Sequence, residues 1–302
     1  MKSLHRIIVG LISVTLMSMG SVAFAAGDVH AKKTVPTPAA SSTNKHVKSV
    51  ASQEITKRRH SLNKEAVVAN DEIFHAILFL KNKDTKQAYK MLEMADGQLS
   101  VLLARDPNLK LAAIDVRASV KDLEASPNTI NKAVKDAESA LKKGKVQDAR
   151  ALLASLVSEM YIQTDYLPLE IYPAAIKLAS KEIHATKLNA AEATLSGALG
   201  SIVTNNVVVP LPPIKAEGDV LAAEKLMKKV KGKVKNKKQI LSLLNSADTH
   251  LANASALGYG NYQNIRTEIA SIKSQVDAGT AKPDLFERIN NLFHKLIHSK
   301  KT

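Results

Sequence analysis

AYKMLEMADGQL, residues 88–99, sets Ala88, Leu92, Ala95 and Leu99 at offsets 0, 4, 7 and 11. That spacing lines four apolar side chains along one face of an α-helix. ARALLASLVSEM repeats it at Ala149, Leu153, Leu156 and Met160, and AEATLSGALGSI at Ala191, Leu195, Ala198 and Ile202. ILSLLNSADTHL makes a fourth copy at Ile240, Leu244, Ala247 and Leu251. A second apolar helix precedes each of the first three copies: Ile73, Ala76 and Leu80; Val134, Ala137 and Leu141; Ile176, Ala179 and Ile183. The unit is a helical hairpin with a turn of about three to five residues.

Small Ala at the facing positions lets two helices approach closely while Leu fills the space between them, as in tetratricopeptide-like repeats. The anchors lie 61, 42 and 49 residues apart, so no strict period holds and a regular solenoid is not expected. The fold class read from this pattern is all-α: an antiparallel helical-hairpin bundle with tetratricopeptide-like hairpins and one Pro-rich extended loop. Turns are expected at Asn82-Lys83-Asp84, Asp106-Pro107-Asn108, Ser126-Pro127-Asn128 and Lys143-Gly144-Lys145. Asp106 and Ser126 each precede a proline, a pattern that caps a helix with Pro at its first position. The loop is Thr204–Ile214, whose three prolines argue against helix and whose valines favour extended chain. Its apolar content calls for packing on the bundle or on a neighbouring subunit. Helices then run from about Glu217 to Lys235 and on to Leu257, with Gly258 as the stop. Two more follow, about Tyr262–Val276 and Asp284–His298.

The N-terminus reads as a secretory signal peptide over residues 1–25. Lys2 and Arg6 precede an uncharged stretch, Ile7–Phe24, and Ala23-Phe24-Ala25 forms a small-residue cleavage site. Residues 26–50, rich in Ala, Ser, Thr, Pro and Lys, read as a disordered linker. Residues 51–258 are the expected bundle and 259–302 a C-terminal helical extension. Absence of cysteine removes disulfides, thiol catalysis and Cys metal sites. A periplasmic location follows from the leader. The net charge of +15 favours acidic partners, and export excludes nucleic acid among them. Only 4% of residues are aromatic, which also argues against a base-stacking reader.

Three stretches resemble the YfdX family of bacterial exported proteins. They are Tyr161-Ile162-Gln163-Thr164-Asp165-Tyr166-Leu167-Pro168-Leu169-Glu170-Ile171-Tyr172-Pro173-Ala174-Ala175, the run from Val207 to Glu217, and Ala256-Leu257-Gly258-Tyr259-Gly260. The resemblance spans roughly residues 55–298. It implies a periplasmic, oligomeric helical protein linked to stress adaptation and virulence, and it carries over no catalytic residues.

No catalytic constellation emerges from the residues themselves. Asp71 and Glu72 read as a solvated helix face, and Asp165 and Glu170 as groups bonded to backbone near a helix start. His294 and His298 stand at i and i+4, but Lys295, Leu296 and Ile297 between them supply no zincin Glu. Gly232-Lys233 lacks the flanking residues of a phosphate-binding loop. The strongest charge feature is Lys225, Lys228, Lys229, Lys231, Lys233, Lys235, Lys237 and Lys238, offset nearby only by Glu224. A solvated helix end is one reading of it, and a surface for anionic lipid headgroups the other. The expectation is a non-catalytic binding or scaffold protein without cofactor or metal. Its partner would be another protein or a hydrophobic small molecule, or an anionic membrane surface through the lysine run.

Overall fold

A computed structural model of the chain describes residues 38–228, 236–282 and 284–298. Eleven helices and three strands are formed by these residues, so the molecule is predominantly helical. In order they are α1 (Pro38–Arg59), α2 (Lys64–Lys81), α3 (Thr85–Arg105), β1 (Leu111–Lys121), α4 (Pro127–Lys142), α5 (Val146–Ser155), β2 (Glu159–Pro168), α6 (Ile171–His184) and α7 (Leu188–Gly200). Then come β3 (Val203–Pro210), α8 (Leu211–Lys228), α9 (Lys237–Ala256), α10 (Gln263–Ala278) and α11 (Leu285–His298). The strands form one sheet in the order β1-β2-β3.

The chain divides into two compact units. The inner unit holds residues 53–118 and 162–207, and the terminal unit the described residues of 1–52, 119–161 and 208–302. The inner unit contains the hairpins α2–α3 and α6–α7. Its interior is Ala and Leu at the spacing the sequence sets: Ala88, Leu92, Ala95 and Leu99 on α3, and Ala191, Leu195 and Ala198 on α7. Tyr172 is fully buried and donates its hydroxyl to Asn70 Oδ1 at 3.2 Å. The terminal unit contains the hairpins α4–α5 and α8–α9, with α10 against α9 and α11 against α8 and α10. Ile240, Leu244, Ala247 and Leu251 of α9 share one core with Ile269 and Ile272 of α10 and with Phe286 and Phe293 of α11. The division therefore falls elsewhere than at 258/259, because α10 and α11 complete the core that α8 and α9 begin.

Caps and turns follow local chemistry. Ser126 Oγ accepts from Thr129 N at 3.2 Å with Pro127 in the first turn of α4, as its sequence predicts. Asp84 caps α3 by accepting from Gln87 N at 3.1 Å. Gly144, at φ 71°, turns α4 into α5.

Four expectations are corrected. The helix α1 begins at Pro38, where composition predicts a linker to residue 50. Val47, Val50 and Ala51 are buried, and their spacing gives this Ser- and Thr-rich segment an apolar face that tertiary packing stabilises. Asp106 caps no following helix, since strand β1 comes next. Its sequence alternates: Ile114, Val116, Ala118 and Val120 stand between Asp115, Arg117, Ser119 and Lys121. The second repeat copy breaks. Helix α5 ends at Ser155, Leu153 is 46% exposed, and the buried Met160 belongs to β2. Finally, the Pro-rich loop is a strand followed by a helix. Pro212 and Pro213 occupy the first turn of α8, where the amide hydrogens they lack would have no intrahelical partner. Leu211 N donates to Ser158 O at 3.0 Å. Leu211–Ile214 are buried as expected, whereas Val203, Val207 and Val208 are exposed.

Candidate functional site

Helix α9 has two faces. The repeat residues form the apolar one. On the other, Ser246, Thr249, His250 and Asn253 stand at offsets 0, 3, 4 and 7, a polar stripe at helical spacing. It lines a cleft of about 350 Å³ within the terminal unit, together with Thr43 and Asn44 of α1, Lys215 of α8 and residues Leu123, Glu124 and Ala125.

Beside the cleft, Asp219 of α8 has no exposed surface. Thr43 donates its hydroxyl to Oδ1, and the nearby Ser246 hydroxyl also favours the charged carboxylate. Oδ2 has no hydrogen-bond partner among the described residues and lies 3.6 Å from His250 Nε2. Burial holds the Asp219 pKa above the ordinary carboxylate value, against the pull of those hydroxyls and of Lys215. Burial, helped by the Lys215 charge, lowers the His250 pKa to about 4 despite Asp122. The imidazole is therefore neutral at neutral pH, and its approach to Asp219 is not an ion pair.

Lys215 is committed to Asp122, Nζ to Oδ2 at 2.5 Å, and Ser158 Oγ donates to the other carboxylate oxygen at 3.1 Å. His46 of α1 is 2.8 Å from Glu217 through Nε2. Gly218 permits that approach, because a Cβ there would stand 2.9 Å from His46 Cβ. Asn253 is buried. Its Nδ2 donates to Ala125 O at 2.9 Å, which fixes the amide orientation and leaves Oδ1 without a partner among the described residues. Near this layer, Tyr259 of the Gly258-Tyr259-Gly260 turn accepts from Ser158 N and donates to Glu159, both at 3.1 Å. Tyr161 donates to the other oxygen of Glu159 at 2.5 Å, and that bond pushes its pKa up to about 12.

The residues singled out from sequence fall elsewhere. Asp165 pairs with Arg117 and accepts from Thr204 Oγ1 at 2.7 Å, a cross-strand cluster in the inner unit. Glu170 is exposed at the start of α6 and caps nothing through its side chain. Asp71 is exposed, and Glu72 is half-buried with its pKa raised by desolvation. No group of three metal-ligating side chains occurs among the described residues, and the His298 side chain lies outside them. Of the lysine run, Lys229, Lys231, Lys233 and Lys235 lie outside the described residues. Lys228 pairs with Glu224 at 2.5 Å and Lys237 with Asp277 at 2.7 Å, while Lys225 and Lys238 are exposed. No described helix is long and apolar enough to cross a membrane. Sequence reading missed Thr43, Lys215, Asp219, Ser246, His250 and Asn253. The signal was the polar spacing inside the fourth repeat copy, read there only for its apolar face.

Residues 69–208 match the family model of the YfdX protein. Among solved structures, the chain is similar to Salmonella Typhi YfdX, at 19% identity and a TM-score of 0.36, covering 50% of this chain and 93% of that one. No curated relative matches the chain. The residues that match the YfdX family model take in the Tyr161–Ala175 motif and the first residues of the Pro-rich one.

Proposed function

We propose that this protein is a non-catalytic, exported helical binding protein that takes a small ligand in the cleft of the terminal unit. One observation carries the reading: the cleft is lined by the polar stripe Ser246, Thr249, His250 and Asn253 together with Thr43, Asn44 and Lys215. A cleft of about 350 Å³ lies at the small end of the range of ligand sites.

The neighbouring acid–base pair supports binding over catalysis. Asp219 is sealed from the cleft, and His250 turns Nε2 towards it. An imidazole with a pKa of about 4 is a weak base at neutral pH. Export is supported by Lys2, Arg6, the uncharged stretch and Ala23-Phe24-Ala25, and a periplasmic role in stress or virulence by the family resemblance.

Thermal-shift titration with small cationic, anionic, neutral polar and apolar compounds tests the reading. At least one class is expected to raise the midpoint of the native protein but not of Thr249→Trp, whose ring fills the cleft. The compound is expected back unchanged by mass spectrometry. A shift that survives in Thr249→Trp, or a converted compound, overturns the proposal.

A further inference from the structure

We infer that the open side of the hairpin α4–α5 docks on the same hairpin of a second copy of this chain, as a two-fold four-helix contact. Three hairpins share one register. Eight residues separate Leu80 from Ala88, Leu141 from Ala149 and Ile183 from Ala191. Each position of α4–α5 therefore has a counterpart in α2–α3 and in α6–α7. The alanines behave alike: Ala76, Ala88, Ala137, Ala149, Ala179 and Ala191 are all buried, sealing each helix against its neighbour. The larger residues do not. Leu80, Leu92, Ile183 and Leu195 are at most 4% exposed, whereas Leu141 is 49% and Leu153 46% exposed. Lying four residues past Ala137 and Ala149, Leu141 and Leu153 turn to one side of the antiparallel hairpin. Val146, three residues before Ala149 and also exposed, joins them.

The inner unit shows what covers that side. There α2 packs against α7 and α3 against α6, so the first helix of each hairpin meets the second of the other. That exchange is a pseudo-two-fold contact, the kind that two identical hairpins make. In the terminal unit α10 and α11 close α8–α9. The hairpin α4–α5 meets α9 through α4, which still leaves Leu141 and Leu153 open. A second copy supplies the missing Ala–Leu hairpin.

Charge fits the same partner. Glu138 and Arg150, each one residue past a sealing alanine and both exposed, border the open side. Their counterparts touch across the inner unit, where Tyr89 donates to Ser180 O at 2.9 Å. Two copies arranged likewise set Arg150 against the partner's Glu138, twice by symmetry. Lys81, the counterpart of Lys142, reaches Glu192, the counterpart of Arg150, at 3.5 Å. The partner's Lys142 therefore stands one turn beyond Glu138, where its long stem carries the ammonium out to water.

Sedimentation velocity of the full chain over a range of concentrations tests this. The native protein is expected to associate into dimers. Leu153→Glu is expected to stay monomeric with an unchanged circular dichroism spectrum, because in the dilute monomer this side chain already faces water. Glu138→Arg and Arg150→Glu are each expected to weaken the dimer about tenfold or more, and the two together to restore it. A native chain that is monomeric at every concentration overturns the proposal and leaves the open side to a different protein. A dimer that survives Leu153→Glu overturns it too, since the contact then lies on another surface. So does a dimer that the double charge reversal fails to restore, since the two hairpins then do not meet in this register.

Discussion

The two units bury different chemistry. The inner unit is dry: its buried polar side chains among the described residues reduce to Thr164, and the Tyr172 hydroxyl finds Asn70. The terminal unit buries Thr43, Ser158, Asp219 and Asn253, and the orphaned oxygens of Asp219, Asn253 and Asn290 all belong to it. Both units use Ala–Leu hairpins, so the contrast is not one of architecture. A layer of polar residues inside a helical core is costly where apolar residues would fold as well. Its confinement to one unit is the reason the proposed ligand site is placed there.

The largest effect should come from the dry core. Leu92→Ala or Leu195→Ala removes a buried side chain from a tightly packed site, and a loss of about 2–5 kcal/mol is expected from the urea midpoint. Leu153→Ala, at the same repeat offset as Leu92 but 46% exposed, should change stability by less than about 0.5 kcal/mol. Equal losses at Leu92 and Leu153 would mean that the repeat spacing, and not its burial, sets the energetics.

The second effect belongs to the polar layer and depends on pH. The His250 pKa falls from 6.5 unfolded to about 4 folded, so the unfolded chain takes up the proton first. Stability is fully present above pH 6.5 and declines as pH falls towards 4, by about 3 kcal/mol at most. Asp219 works in the opposite sense, since its raised pKa favours the folded state as its carboxyl protonates. Comparison with His250→Gln isolates the imidazole. The native protein should lose stability relative to the variant between those pH values, and parallel stability curves would refute the neutral buried state.

The third effect is common to both units. Ala149 and Ala191 have no exposed surface, so Leu at either should overpack its hairpin and cost about 1–3 kcal/mol. Ala151→Leu, on the exposed side of α5, should be nearly neutral by the same midpoint measurement. These alanines were legible in the sequence, as were the hairpins, the Ser126 cap and the Gly144 turn. Strands and cleft were not read. β1 carries a clear two-residue alternation, but it lies between helices and its apolar residues also suit a helical stripe. Helix α1 was hidden by composition, since Ser, Thr and Lys dominate around a stripe of Val47, Val50, Ala51 and Ile55. The cleft was hidden for a deeper reason. Asp219, Thr43 and Ser246 come from three distant segments, and a polar residue within a helical stretch reads as solvent-facing until packing shows otherwise.

The smallest effect sharpens the comparison most, because one substitution is made in both units. Gly97 of α3 and Gly218 of α8 are both helical glycines, and Ala at a helix interior is favoured over Gly by about 1 kcal/mol. A Cβ at Gly97 meets nothing within 4 Å, so Gly97→Ala should stabilise the protein by up to about that amount. At Gly218 the new Cβ would lie 2.9 Å from His46 Cβ, close to the α1 backbone, so the ring cannot swing clear and the helix itself must shift. The gain in propensity is then offset by overpacking of about 1–3 kcal/mol, which leaves a small net loss. The more direct readout is local. Displacing α1 loosens the His46–Glu217 contact and the Thr43 bond to Asp219, so amide exchange at residues 43–51 should quicken in Gly218→Ala and stay unchanged in Gly97→Ala. If both variants gain stability and neither changes exchange, α1 does not rest on Gly218, and the polar layer loses the helix that closes it.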